Sequence, residues 1–138
     1  FNNLDYSFFV GKENGTGEND APGGGSPELR KQLTYLHTFL NSFDFVEMKP
    51  DREVVYHSPG VQWQAISEPG EQYGIVFTGA ESSWVKINLP KGKYDFIFIS
   101  PFNGKKMKSG FFTNKKNGEV KLDFPPFNQM IALKIFRS

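Results

Sequence analysis

From about residue 52 onward the chain is a succession of short alternating segments, and this pattern constrains the fold more than any other feature. Val61, Trp63 and Ala65 alternate with Gln62 and Gln64, and Tyr73, Ile75 and Phe77 alternate across the next run. Val85, Ile87 and Leu89 alternate with Trp84, Lys86 and Asn88, and further runs follow at 94–99, 120–124 and 130–136. A period of two sends successive side chains to opposite faces, so each run has one face to bury. Between the runs stand Pro59-Gly60, Pro69-Gly70, Gly79, Pro90-Lys91-Gly92, Asn103-Gly104, Asn117-Gly118 and Pro125-Pro126. Such residues reverse the chain and end strands. The expectation is a mainly β fold, an antiparallel β-sandwich of about six to eight strands.

Ahead of it lie one amphipathic helix and a Gly-rich arm. Ser26 can accept a bond from an orphan backbone N–H, Pro27 suits the first helical position, and Glu28 complements the helix dipole. Leu29, Leu33, Leu36 and Leu40 recur at helical spacing, widened by Tyr35, Phe39 and Phe43. The spacing predicts a helix over 27–42 with a broad face that needs a partner. Before it, Leu4 to Val10 reads as a strand, and residues 11–25 form a loop too polar and glycine-rich to order itself by burial.

Composition excludes several chemistries. There is no cysteine, so there are no disulfides or thiolate ligands, and two histidines, His37 and His57, do not make a metal centre. No metal and no cofactor is expected. Apolar runs are too short for a membrane span. A formal charge of +1 gives no bulk attraction to polyanions. Glu13, Glu18, Asp20, Glu68, Glu71 and Glu81 fall in loops and turns without an apolar frame to retune them, so each reads as a solvated carboxylate.

Two features stand out. Trp84 shares its face with Lys86 and Asn88, opposite the apolar set, so it is the candidate for an interface or for stacking on a sugar ring. Trp63, with Val61 and Ala65, reads as core. The segment 101–138 carries eight Lys/Arg against two acids, most of them on an expected hairpin from Gly104 to Gly118 that also holds Phe111 and Phe112. Basic residues interleaved with aromatics suit single-stranded nucleic acid, but an adjacent aromatic pair is not spaced for successive bases, and lysines also keep a sheet edge soluble.

Taken in order, the zones resemble a known family. Leu4-Asp5-Tyr6-Ser7-Phe8, the Gly-rich loop, Pro22-Gly23-Gly24-Gly25-Ser26-Pro27-Glu28-Leu29-Arg30-Lys31-Gln32-Leu33 and then Phe43-Asp44-Phe45-Val46-Glu47-Met48-Lys49-Pro50-Asp51 resemble the end of a (β/α)8 barrel. The likeness is to the apiosidase-like group of bacterial glycoside hydrolases, common in gut Bacteroidetes, in which the last barrel strand and helix lead into a C-terminal β-sandwich. Gln72-Tyr73-Gly74-Ile75-Val76-Phe77 resembles that sandwich's strand in which a tyrosine starts an apolar run. The segment from Gly92 to Gly104 resembles its Gly-x-Tyr-x3-Trp-x-Asp/Asn-Pro-x2-Gly signature, with Phe98 in place of Trp and Ser100 in place of Asp or Asn.

The resemblance implies that residues 1–50 are the barrel's end and 51–138 the sandwich. It implies a secreted or periplasmic setting, with the catalytic barrel of the parent chain, and potentially polysaccharide, as partners; nucleic acid and membrane are not expected. The catalytic carboxylates of such barrels follow the fourth and seventh strands, so this chain, starting at Phe1-Asn2-Asn3 without a methionine, is expected to be a fragment that hydrolyses nothing alone. Tyr6, Ser7 and Glu13 would sit at the barrel's active face and are the substrate-pocket candidates in the parent.

Overall fold

The computed structural model describes residues 7–8, 10–17, 25–79 and 82–138. Helix α1 covers Pro27–Leu40, and a one-turn 3₁₀ helix follows at Phe45–Glu47. Among the described residues nine strands follow: β1 Lys49–Pro50, β2 Val55–His57, β3 Gln62–Glu68, β4 Gln72–Thr78, β5 Trp84–Leu89, β6 Gly92–Ile99, β7 Lys106–Asn114, β8 Gly118–Asp123 and β9 Met130–Arg137. They form a six-stranded sheet in the order β1-β3-β4-β9-β6-β7 and a three-stranded sheet in the order β2-β5-β8. Every pairing is antiparallel. The mainly β sandwich read from the sequence is what the chain adopts.

The apolar face of each strand meets its counterpart between the sheets. Ile75 and Phe77 on β4, Tyr94 and Phe98 on β6, and Ile131, Leu133 and Ile135 on β9 are inaccessible to solvent, as are Val85 and Ile87 on β5. Phe124, following β8, closes the end of this layer with its ring 4.9 Å from Phe77 and 5.5 Å from Phe98. Full burial of each such side chain contributes about 1.5–3 kcal/mol. Trp63, Val61 and Ala65 are only partly buried but do pack against this core.

Helix α1 begins as expected, with the Ser26 hydroxyl accepting from Leu29 N–H at 3.0 Å. It ends at Leu40, two residues earlier than expected. Ser42 N–H bonds Phe39 C=O and Phe43 N–H bonds Leu40 C=O, a tightened last turn. That turn drops Phe43 onto the outer face of the large sheet. The ring rests against Gly74, where an added Cβ would lie 3.0 Å from Phe43 Cζ. Lys134 caps the same ring from 4.7 Å and donates to the Ser42 carbonyl. Gln72 locks the junction by accepting from Asp44 N–H and donating to Asp44 C=O.

The helix itself is less buried than its stripe suggests. None of its residues is buried, and Leu36 is 41% exposed. A cleft of about 740 Å³ opens between Leu36, Phe39 and Leu40 on one side and Ile66, Gly74 and Val76 on the other. Tethered at its C-terminal end, the helix overhangs the sheet more than it packs on it.

The expected basic hairpin from Gly104 to Gly118 does not form. β7 pairs along its length with β6, from Gly92↔Asn114 to Ile99↔Lys106, and the reversal lies at residues 100–105. Asn117-Gly118 instead carries the chain across to β8 in the other sheet, where Val85 pairs with Leu122. The turn chemistry was legible, but which neighbour each strand adopts is a non-local choice.

Candidate functional site

At the N-terminal arm, the strand expected from Leu4 to Val10 is not seen in its described part, since Ser7 and Phe8 lie in no strand and Val10 lies in a turn, while Tyr6 lies outside the described residues. Ser7 is wholly buried, and its hydroxyl accepts a 2.7 Å bond from Arg30 Nη1. Arg30 Nη2 donates to Gly15 C=O at 2.8 Å, and the guanidinium sits 4.9 Å from the Phe8 ring centroid. Gly17 N–H closes the loop on Ser7 C=O. Arg30, on the helix, thus clasps a Gly-rich arm that composition alone reads as unordered. Gly15 has φ +74°, and a Cβ there would lie 2.5 Å from Phe8 Cζ, so only glycine suits this crossing.

Glu13 is exposed and accepts from Gly11 N–H at 2.8 Å. That bond favours the charged form and holds its carboxyl below the usual range. A depressed carboxylate stabilises its surroundings above its unfolded pKa and loses that contribution as pH falls through the folded value. Hydrogen exchange at Gly11 is therefore expected to lose protection, relative to the intrinsic rate, as pH drops below the ordinary carboxylate range. Glu13→Gln should abolish the pH dependence, and an unchanged profile in the variant would reject the assignment. Ser7 and Glu13 end in different environments, one closed under the arm and one in solvent.

The outer face of the small sheet holds Trp84. The indole is half-buried, 5.4 Å from the His57 ring on β2 and 5.4 Å from Lys121 Nζ on β8. Because β5 runs between β2 and β8, these neighbours approach from opposite sides. Lys86 pairs with Glu119 at 2.9 Å, and Lys121 with Asp123 at 3.5 Å. Next to them is a concavity of about 540 Å³ lined by Tyr56, Asn88, Lys116, Asn117, Gly118 and Glu119. From the sequence, Asn88 reads only as sharing the Trp84 face, Asn117-Gly118 as a turn and Lys116 as part of the basic segment, and nothing singles out Tyr56 or Glu119. Tyr56 sits in a three-residue strand, too short for an alternation to be legible.

Three of the described carboxylates elsewhere make contacts that hold the framework. Asp51 takes bonds from Glu53 N–H, Val54 N–H and Ser67 Oγ. Glu68 accepts from Gln72, and Glu71 faces Arg137 at 3.7 Å. Glu18, Asp20 and Glu81 lie outside the described residues. Among the described residues no three His, Asp or Glu side chains are grouped as metal ligands. His37 is exposed on α1 beside the Asn41 amide.

On β7 the two adjacent phenylalanines part company. Phe112 turns inward, 5.6 Å from Tyr94, whereas Phe111 points out and is 82% exposed. Lys108 spends its ammonium on Asp123 C=O at 2.6 Å.

No protein-family model matches this chain, and no curated protein matches it in sequence. Among solved structures, a glycoside hydrolase aligns over 78% of this chain with a TM-score of 0.59 and 16% identity. A glycoside hydrolase family 5 protein from Bacteroides vulgatus aligns over 77%, with a TM-score of 0.58 and 19% identity. The fold is therefore one that occurs in glycoside hydrolases. The chain spans about a quarter of the length of these two structures, 25% and 24%.

Proposed function

We propose that this chain is a non-catalytic accessory β-sandwich of a glycoside hydrolase, bracing the catalytic barrel. The carrying observation is that the fold of some three quarters of this chain recurs as about a quarter of two glycoside hydrolases. The surface supports the reading. The underfilled cleft beneath α1 lies on the side of Leu36, and Val46, just beyond the helix, is 88% exposed. Apolar area left open in this way suits a neighbouring domain. Ser7, Arg30 and Gly15 then hold the arm in place at the domain junction, with Glu13 toward the substrate pocket of the barrel. The setting is secreted or periplasmic.

The 138-residue chain alone is expected to release no nitrophenol from any of a panel of nitrophenyl glycosides. Measurable turnover that survives repurification overturns the accessory role. In the protein that carries the barrel, Leu36→Asp should lower the melting temperature of the barrel while leaving that of the isolated chain nearly unchanged. An equal effect on both would place Leu36 in the sandwich's own stability instead.

A further inference from the structure

We infer that the concavity on the outer face of the small sheet is a saccharide-binding site, with Tyr56 as its stacking platform. The fold exposes this ring by a specific device. Val55 faces inward opposite Ile87, but the register shifts between Val55 and His57, where His57 pairs with Lys86. A bulge re-aims the side chain next to it, and as a result two consecutive residues, Tyr56 and His57, are exposed. Tyr56 is 63% accessible, an aromatic ring the core does not use.

The groups around it are those a pyranose requires. Such a ring presents a C–H face, which stacks on an aromatic, and a rim of hydroxyls that both donate and accept. Asn88 projects outward between the buried Ile87 and Leu89, and its side-chain amide has no protein partner among the described residues. Asn117 Oδ1 accepts from Lys91 N–H at 2.7 Å, which orients the amide and leaves its NH2 group available. Glu119 is held by Lys86, and Lys116 supplies a further ammonium. A volume of about 540 Å³ falls within the range of small-ligand pockets, roughly 300–1,000 Å³. Trp84 is less suited, because His57 and Lys121 flank its ring from both sides.

The choice of glycans rests on the glycoside-hydrolase reading, while the pocket itself does not. The test is native affinity electrophoresis of the 138-residue chain in gels containing polygalacturonate, xyloglucan or arabinogalactan. Retardation is expected in at least one gel, and Tyr56→Ala should weaken it by about fivefold or more. Phe111→Ala, an exposed aromatic on the other sheet, should leave mobility unchanged and show that exposed aromatics are not retarded indiscriminately. Lys116→Gln should weaken only the polygalacturonate shift if the bound sugar is a uronate, and none of the shifts if it is neutral. No retardation in any gel, or equal retardation of Tyr56→Ala, overturns the site. Turnover is read separately, so an inert chain that is not retained rejects the site and keeps the accessory role.

Discussion

Phe77→Ala is expected to destabilise the chain by about 3–5 kcal/mol. Phe77 has no solvent exposure and sits on β4 between Trp63 of β3 and Ile131 of β9. Its ring meets Phe124 edge-to-face at 4.9 Å, joining the large sheet to the end of the small one. Truncation removes the transfer free energy of the ring and leaves a cavity that two rigid sheets cannot collapse around. For a domain of ordinary stability, roughly 5–15 kcal/mol, that is a large fraction. Equilibrium denaturation should show a lower midpoint with an unchanged slope. A loss below about 1 kcal/mol would mean that this end of the core is not closed.

Asp51→Ala is expected to cost about 2–4 kcal/mol, although Asp51 lies outside the apolar core. Its Oδ1 accepts from Glu53 N–H at 2.8 Å and from Val54 N–H at 2.9 Å, and its Oδ2 from Ser67 Oγ at 2.5 Å. The backbone N–H of Asp51 also bonds Ala65 C=O. The residue therefore ties the segment leaving α1 to β3 and turns the chain toward the second sheet. Ser67 is 1% exposed, so alanine strands its hydroxyl away from water. Asp51→Asn retains an acceptor for the two amides and a donor for Ser67, and should recover more than half of the loss. If the two variants are equally destabilised, the charge rather than the hydrogen-bond geometry carries the effect.

Much of the sandwich was legible because burial of one strand face imposes a period of two. β3, β4, β5, β6, β8 and β9 all fall on alternating runs, with Gly or Pro turns between most of them. β1 and β2, of two and three residues, are too short for any period. The start of α1 was legible because capping is local chemistry between Ser26 and Leu29. Its end was not, because the tightened turn after Leu40 seats Phe43 against Gly74 and Lys134, which lie far along the chain. The candidate site divides in the same way. Alternation sufficed to set Trp84 outward, whereas Tyr56 is exposed by a bulge, which is a property of the pairing with β5.

The sequence by itself determined α1, the longer alternating strands β3 to β6, β8 and β9 with their inward and outward faces, and the absence of cysteine chemistry. These follow from side-chain period, turn residues and composition, all local quantities. Only the tertiary structure decided that β9 inserts between β4 and β6, that β7 and β8 lie in different sheets, and that Arg30 clasps Ser7 and Gly15. The physical reason is common to all three. A ladder or a clasp joins residues far apart along the chain, and its partner is selected by the packing of the whole rather than by the residues beside it.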